Sequence, residues 1–277
     1  MKKIPVVVLF SGFILAPIFA SGVKDPSRPA AAAAYTITIA GSTSVNPLME
    51  LLIADYQKAR SAVSFNVSAT GSGDGIKAVP AGTAEIGMSS RDLSPSEMGT
   101  GIDIHRIAID GIAVIVNPQN PTGNLTIDQI RDIYTGRITD WSQLGSGKSG
   151  AISVVSREPG SGTRGAFEEI VKFQDKLVKG ATEFDGTGAI KAEISRNADA
   201  IGYISLGSLD NTVKALSVEG AAATAANVVN GSYRIARPFL LLTKKGGPLH
   251  PETQAFLDWI LSDNGQNIVK TNWISVK

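Results

Sequence analysis

Hydrophobic and polar positions alternate in short runs along the chain from residue 35 onward, and segments with helical spacing separate these runs. The strand-like runs include YTITIA at 35–40, SFNVSA at 64–69, EIGMSS at 85–90, AISVVSRE at 151–158, AIGYIS at 200–205 and RPFLLLT at 237–243. Helical spacing follows in NPLMELLIADYQKA at 46–59 and from Pro251. Because strands and helices alternate, the pattern predicts an α/β fold.

Two longer segments extend this picture. IHRIAIDGIAVIVNP at 104–118 predicts one or two strands, and LTIDQIRDIYTGRITDWSQL at 125–144 predicts a helix, a turn and a second helix. The apolar stretches inside the fold are too short to cross a bilayer, which takes about 20 residues.

The N-terminus has the pattern of an export signal. Lys2 and Lys3 precede an apolar run at 4–19, and the small residues 20–22 offer a cleavage site. A membrane anchor is the alternative, but the run is short for a span. We predict a signal peptide at 1–22, a flexible leader at 23–34 and a periplasmic mature protein.

Charge and composition exclude several functions. The 26 basic and 25 acidic residues give a net charge of +1, so no electrostatic footprint for nucleic acid is present. The absence of cysteine excludes disulfides, thiolate metal sites, cysteine nucleophiles and lipid attachment at a cysteine. Two histidines leave little material for a zinc site. We therefore predict neither a metal nor a cofactor.

Three small-residue turns each connect a strand to a helix: GSTS at 41–44, GSGDG at 71–75 and GSGT at 160–163. The first amides of a helix lack partners and carry a partial positive charge, so an anion is a natural ligand there. Glycine permits close approach, and serine and threonine add hydroxyl donors. One such turn usually only caps its helix. Three turns at the carboxyl ends of strands favour a shared anion site.

Nucleotide-binding motifs are absent from these turns. In GSGTRG the basic residue follows the threonine, which is not the P-loop order, and no dinucleotide fingerprint opens a helix. The sequence around Ser161, PGSGT, does not match the G-x-S-x-G pattern of the nucleophile elbow in serine hydrolases. The sequence predicts a binding protein and no catalytic residue, with a secreted phosphohydrolase as the less favoured alternative.

Six ordered segments resemble the substrate-binding protein of bacterial phosphate ABC importers. They are ITIAGSTSVNPLME, SATGSGDGIKAV, EIGMSSRDL, LTIDQIRDIYTGRITDWSQLG, VSREPGSGTRGAFEE and AIGYISLGSL. The resemblance implies a two-lobed periplasmic-binding-protein fold with two hinge crossings and phosphate held between the lobes. It also implies a monomer that delivers phosphate to a membrane permease with a cytoplasmic ATPase. We expect lobe one at 35–116 plus 237–277, and lobe two at 117–236.

The resemblance also implies the ligand contacts, residue by residue. The expected phosphate-binding residues are Ser42, Thr43, Ser44, Ser72, Ser90, Arg91, Arg157, Ser161, Gly162 and Thr163. For Arg157, pairing with the neighbouring carboxylate of Glu158 is the alternative. Because an arginine fork fits a tetrahedral oxyanion, Arg157 is expected to be the strongest contact from lobe two.

The turn that follows the strand-like run EIGMSS, the third turn of lobe one, departs from the family pattern. Familiar members carry an aspartate there, which accepts the proton of hydrogen phosphate, whereas this chain has Ser90 and Arg91. Asp92, Asp74 or a serine oxygen could take that proton. Selectivity against sulfate and arsenate is therefore left open. The alternative hypothesis, that the same fold binds sulfate, molybdate or tungstate, also stays open.

Overall fold

The computed structural model of the chain describes residues 35–99 and 101–277. The predicted signal peptide at 1–22 and leader at 23–34 lie outside the described residues. Within the described ranges, no helix is both long enough and apolar enough to cross a membrane.

The strands and helices alternate along most of the described chain. The strands are β1 Tyr35–Gly41, β2 Val63–Ala69, β3 Ile86–Ser89, β4 Ile102–Val116, β5 Asn124–Leu125, β6 Ser153–Arg157, β7 Thr182–Phe184, β8 Ala200–Ser205, β9 Lys214–Ala215, β10 Ser217–Val218, β11 Ala236–Lys244 and β12 Ile274–Ser275. The α-helices are α1 Asn46–Ala59, α2 Ser72–Ala81, α3 Pro95–Met98, α4 Ile127–Tyr134, α5 Gly162–Val171, α6 Gly186–Arg196, α7 Ala225–Val229, α8 Pro251–Ile260 and α9 Asp263–Val269. Short 3-10 helices lie at Trp141–Leu144 and Leu206–Ser208.

The main sheet has the order β2-β1-β3-β11-β4-β8-β6-β7, with β9 and β12 also paired to β4. Strand β1 is parallel to β2 and to β3, and Gly41 at its end is in register with Ala69 and with Met88. The carboxyl ends of these three strands therefore lie at one edge of the sheet. The turns that follow them meet there, which is the condition for a shared site.

Strand β4 belongs to both halves of the molecule. Its residues from Ile102 to Gly111 pair with β11, and its residues from Ile112 to Val116 pair with β8. Successive parts of β4 enter different cores, because Ile107 packs in one hydrophobic cluster and Ile112 in another. The 15-residue strand thus connects two separately packed regions.

Two hydrophobic cores define these regions. The first contains buried residues from β1, α1, β2, β3, the first part of β4, β11, α8 and α9. The second contains buried residues from the later part of β4, α4, β6, α5 and β8. We call the elements around the first core lobe one and those around the second core lobe two. Helix α2 packs on β11 and belongs to lobe one, and helix α6 packs on β6 and β8 and belongs to lobe two. The α/β, two-lobed fold class predicted from the sequence is confirmed.

Several elements differ from their predicted form. The second helix predicted within 125–144 is a single 3-10 turn, ended by Gly145 with a φ of 67°. Helix α2 begins at Ser72, so most of the GSGDG segment is the first turn of that helix. Strand β7 and helix α6 were not predicted, because TEF and GTGAIKAEISR lack the long apolar runs of the other elements.

Candidate functional site

Three serine hydroxyls lie together where the turns of lobe one meet. The hydroxyl of Ser42 donates to Ser90 Oγ at 2.9 Å, and the hydroxyls of Ser72 and Ser90 are 3.3 Å apart. The amide of Ser90 also donates to Ser72 Oγ at 3.1 Å. Each of the three residues is buried, with 2% or less of its surface exposed. The structure therefore brings together one predicted site residue from each turn, and we call this group the serine cluster.

The first of these turns requires glycine at position 41. Gly41 has a φ of 134°, a conformation that other residues rarely adopt. A Cβ atom at this position would lie 2.3 Å from the carbonyl oxygen of Met88. The carbonyl of Gly41 accepts hydrogen bonds from the amides of Thr70 and Gly71, both at 2.9 Å. These bonds fix the first turn against the second.

Lobe two contributes the start of α5. Ser161 caps this helix, because its hydroxyl accepts from the amide of Arg164 at 3.2 Å. The hydroxyl of Thr163 lies 2.8 Å from that of Ser44 in lobe one. The GSGT turn is thus in direct contact with the GSTS turn.

The backbones of the two lobes also touch at this point. The amide of Gly73 donates to the carbonyl of Gly160 at 3.1 Å. A Cβ atom on Gly162 would lie 2.2 Å from Ser72 Oγ and 2.9 Å from Ser90 Oγ. Only a residue without a side chain can approach the serine cluster this closely.

Arg157 connects the two lobes through its side chain, which is 1% exposed. Its Nη2 donates to Thr43 Oγ1 of lobe one at 3.0 Å, and its Nη1 lies 3.4 Å from Thr187 Oγ1. Both oxygens of Glu158 also accept from it, at 2.7 and 2.8 Å. The carboxylate pairing considered as an alternative is therefore present together with the contacts across the cleft.

Tyr203 forms hydrogen bonds with the end of strand β6, which carries Arg157. Its hydroxyl accepts from the amide of Arg157 at 3.3 Å and lies 2.8 Å from Ser156 Oγ. Burial raises the pKa of Tyr203 to about 12. A tyrosine hydroxyl is neutral at physiological pH even at its ordinary pKa of about 10. The end of β6 is thereby held by a buried, uncharged anchor.

Sequence reasoning missed Thr187, which lies at the start of α6. Its hydroxyl is 3.1 Å from Ser44 Oγ, in addition to its contact with Arg157. A signal was available in the sequence. The segment TEFDGTG is a fourth strand followed by a small-residue turn and a helix, the same pattern as the three turns that were recognised.

A second buried guanidinium, that of Arg237, was also missed. Its Nη1 donates to the carbonyl of Ser90 at 3.2 Å, and its remaining donors contact Asp110. Nothing in the local sequence RPFLLLT indicates this role, because the contact depends on how β11 pairs with β4.

Arg91 does not join the serine cluster. Its two terminal nitrogens donate to the carboxylate of Glu97 at 2.7 and 2.8 Å, and its Nη1 also donates to the carbonyl of Asp92. The bidentate geometry expected for an anion is thus directed to a carboxylate of the same chain. The contact between Arg91 and the ligand stays a prediction, and Arg91 would have to share its guanidinium with Glu97 or release Glu97 to make it.

We expect Arg91→Ala to change ligand affinity less than about threefold, because its guanidinium already has a carboxylate partner. The hydrogen bond from Arg91 lowers the pKa of Glu97 from 4.5 to about 2. A lowered carboxyl pKa stabilises the fold above pH 4.5, and this contribution is lost as the pH falls toward 2. Since the pair is partly exposed, the variant should lose about 1 kcal/mol or less at pH 7.

Urea unfolding at pH 7 and at pH 3, with calorimetry of ligand binding, measures both effects. The stability difference between Arg91→Ala and the parent should shrink at the lower pH. A large loss of ligand affinity in this variant would show that Arg91 contacts the ligand.

The two aspartates expected as possible proton acceptors lie on the surface. Asp74 and Asp92 are both exposed. The carboxylates that lie beside the buried guanidiniums are instead Glu158 and Asp110. Within the described residues, no group of three or more histidine, aspartate or glutamate side chains could hold a metal ion.

Comparison with known proteins agrees with this geometry. The model of the PBP superfamily domain matches residues 26–264. The phosphate-binding protein PstS of Bacillus subtilis (strain 168) is 32% identical over 255 residues, which cover 90% of this chain and 83% of that protein. The chain belongs to the PstS family of phosphate-binding proteins.

Solved structures extend the PstS family comparison. A Clostridium perfringens protein described as a phosphate ABC transporter substrate-binding protein, crystallised with bound phosphate, is 45% identical with a TM-score of 0.85. The match covers 87% of this chain and 100% of that one. An ABC-type phosphate transport receptor from Vibrio cholerae is 34% identical with a TM-score of 0.72, covering 86% and 99% of the two chains. These structures share the two-lobed fold.

Proposed function

We propose that this protein binds inorganic phosphate between its two lobes and delivers it to an ABC importer. The observation that carries the proposal is the contact of Arg157 and Thr163 of lobe two with Thr43 and Ser44 of lobe one. Hydroxyls and a guanidinium from opposite lobes are thus within reach of one small anion. Dehydrating such an anion is costly, and many hydrogen bonds in a dry cleft offset that cost.

The proposed ligand residues are those that the two lobes bring together. They are Ser42, Thr43, Ser44, Ser72, Ser90, Arg157, Ser161, Gly162 and Thr163, with Thr187 added. Hydroxyl groups can donate to one phosphate oxygen and accept the proton of another. We propose that a serine or threonine oxygen takes the proton of hydrogen phosphate, since Asp74 and Asp92 are on the surface.

We propose the lobe boundaries from the hydrophobic core in which each side chain packs. The side chains of Ile112, Val114 and Val116 pack in the second core, although the sequence pattern predicts them in lobe one. We propose that the two crossings lie near residues 109–111 in β4 and 236–238 in β11. This proposal is supported by the change of pairing partner along β4 at this point.

We further propose that the protein is a periplasmic monomer without a lipid anchor and that it catalyses no reaction. Membership of the PstS family supports a role in transport, and the pattern at residues 1–22 supports export. The partners that this role needs are a membrane permease and its cytoplasmic ATPase.

Calorimetry of the chain without residues 1–22 tests the proposed ligand. We expect phosphate to bind more tightly than sulfate, molybdate or tungstate, which carry no proton at neutral pH. Hydroxyls that accept a proton favour an oxyanion that carries one. Tighter binding of a different oxyanion would support the alternative specificity, and hydrolysis of a chromogenic phosphate ester would support the phosphohydrolase.

A further inference from the structure

A buried ion pair lies where the two lobes join. Asp110 on β4 and Arg237 on β11 are register partners in the antiparallel pair, and each side chain is 1% exposed. Asp110 Oδ2 accepts from Arg237 Nη2 at 3.1 Å and from Nε at 3.3 Å. The two strands that carry these residues are the ones that run between the two cores.

Hydrogen bonds connect this ion pair to both lobes. The hydroxyl of Ser205, at the end of β8 in lobe two, donates to Asp110 Oδ1 at 2.9 Å. At the other end, Arg237 Nη1 donates to the carbonyl of Ser90 in lobe one at 3.2 Å. A continuous chain of hydrogen bonds therefore runs from lobe two, through the crossing strands, to the third turn of the serine cluster.

The position of Ser90 makes this connection important. Its hydroxyl contacts those of Ser42 and Ser72, its amide donates to Ser72, and its carbonyl accepts from Arg237. A rotation of the Ser90 peptide would move the hydroxyl that joins the first and second turns. Arg237 therefore holds the carbonyl of the residue whose hydroxyl joins the first and second turns.

Burial of this pair has an energetic cost. Burial raises the pKa of Asp110, although Arg237 and Ser205 oppose this shift. Burial likewise lowers the pKa of Arg237, and the nearby charge of Arg157 acts in the same direction. Well-packed apolar residues can often replace a buried ion pair without loss of stability. Stability alone therefore does not account for the pair.

We propose that Arg237 and Asp110 are positioning residues for the anion site, with Arg237 orienting the Ser90 turn and Asp110 orienting Arg237. The inference rests on the proposed binding of phosphate at the serine cluster. Neither residue needs to touch the anion. Their effect on affinity is exerted through the geometry of the third turn.

The test compares affinity with stability in the mature chain. In the double variant Asp110→Leu with Arg237→Met, no unpaired charge remains, so its urea unfolding midpoint should stay close to that of the parent. Its phosphate affinity by calorimetry should fall about tenfold or more, because the Ser90 carbonyl loses its charged donor. A double variant that binds phosphate as tightly as the parent would overturn the proposal.

Arg237→Lys is a second variant that keeps the positive charge beside Asp110. The lysine ammonium lacks the planar fork that reaches Asp110 and Ser90 together. We expect a folded variant with about tenfold weaker phosphate binding. Parent affinity in folded Arg237→Lys would contradict the proposal, and this variant decides the question if the double variant does not fold.

Gln266→Leu provides the control. Gln266 is 1% exposed and donates to the carbonyls of Ile107 and Ile260, within the first core and apart from the serine cluster. This variant should lower the unfolding midpoint without changing phosphate affinity. If the parent itself shows no phosphate binding, the proposed function fails. If the parent and all variants bind alike, only the positioning role fails.

Discussion

Arg157→Ala is expected to weaken phosphate binding by at least about 3 kcal/mol, the usual cost of breaking a buried, hydrogen-bonded charge pair. The variant would lose the contact with Thr43 across the cleft. It would also leave the carboxylate of Glu158 without its guanidinium, and a negative charge there repels an anion. Arg157→Lys should bind measurably more weakly than the parent, because the ammonium keeps the charge and loses the two-pronged geometry.

Calorimetry can separate these two causes. Arg157→Ala combined with Glu158→Gln removes the leftover carboxylate charge, so part of the lost affinity should return. Arg196→Ala is the matched control, because Arg196 is an exposed arginine of lobe two that pairs with Glu193 at the end of α6. If folded Arg157→Ala bound phosphate as tightly as the parent, Arg157 would not be a ligand contact. Most of the support for a phosphate site between the two lobes would then be lost.

Gly162→Ala is expected to weaken phosphate binding about tenfold to hundredfold, by preventing close contact between the lobes. The added Cβ would lie 2.2 Å from the Oγ and 2.8 Å from the Cβ of Ser72. Serine has too short a side chain to move aside, and overpacking of this kind costs about 1–3 kcal/mol. The loss should appear in affinity more than in unfolding, because each core is packed away from Gly162.

Gly160→Ala is the control for this substitution. It changes a glycine of the same turn, but a Cβ there would meet no atom within 4 Å, and its carbonyl can still accept from Gly73. Phosphate affinity should stay within about twofold of the parent. Equal losses in the two variants would mean that the flexibility of the turn, and not the contact with Ser72, determines binding.

The local pattern of the sequence predicted the strands and turns that build the serine cluster. Runs such as YTITIA and SFNVSA became β1 and β2, because apolar alternation and β-branched residues act locally. Since parallel strands end at one edge, the turns after them could be placed together without knowing the whole fold. Ser42 and Ser72 were found in this way.

The contacts that were missed depend on distant pairing. Arg237 meets Asp110 only through the register of β11 on β4, and local periodicity carries no information about that register. Thr187 was not predicted, because α6 has few apolar residues and the strand before it, β7, has only three residues. Arg91 was predicted to contact the anion because its charge suits one. That contact stays a prediction, and the carboxylate partner of Arg91, Glu97, was not predicted.

The buried residues of the second core come from one continuous stretch of chain, 112–235, whereas the first core combines residues within 37–108 with residues within 239–273. In the sheet order, β11 lies between β3 and β4, although it follows both far along the chain. Closing such a distant pairing is slow, because the loop-closure entropy precedes the stabilising contacts. We therefore expect lobe two to acquire its core early in folding. The late docking of β11 would complete lobe one, set Arg237 beside Asp110 and give the chain its capacity to bind, so that only fully folded molecules can capture a ligand.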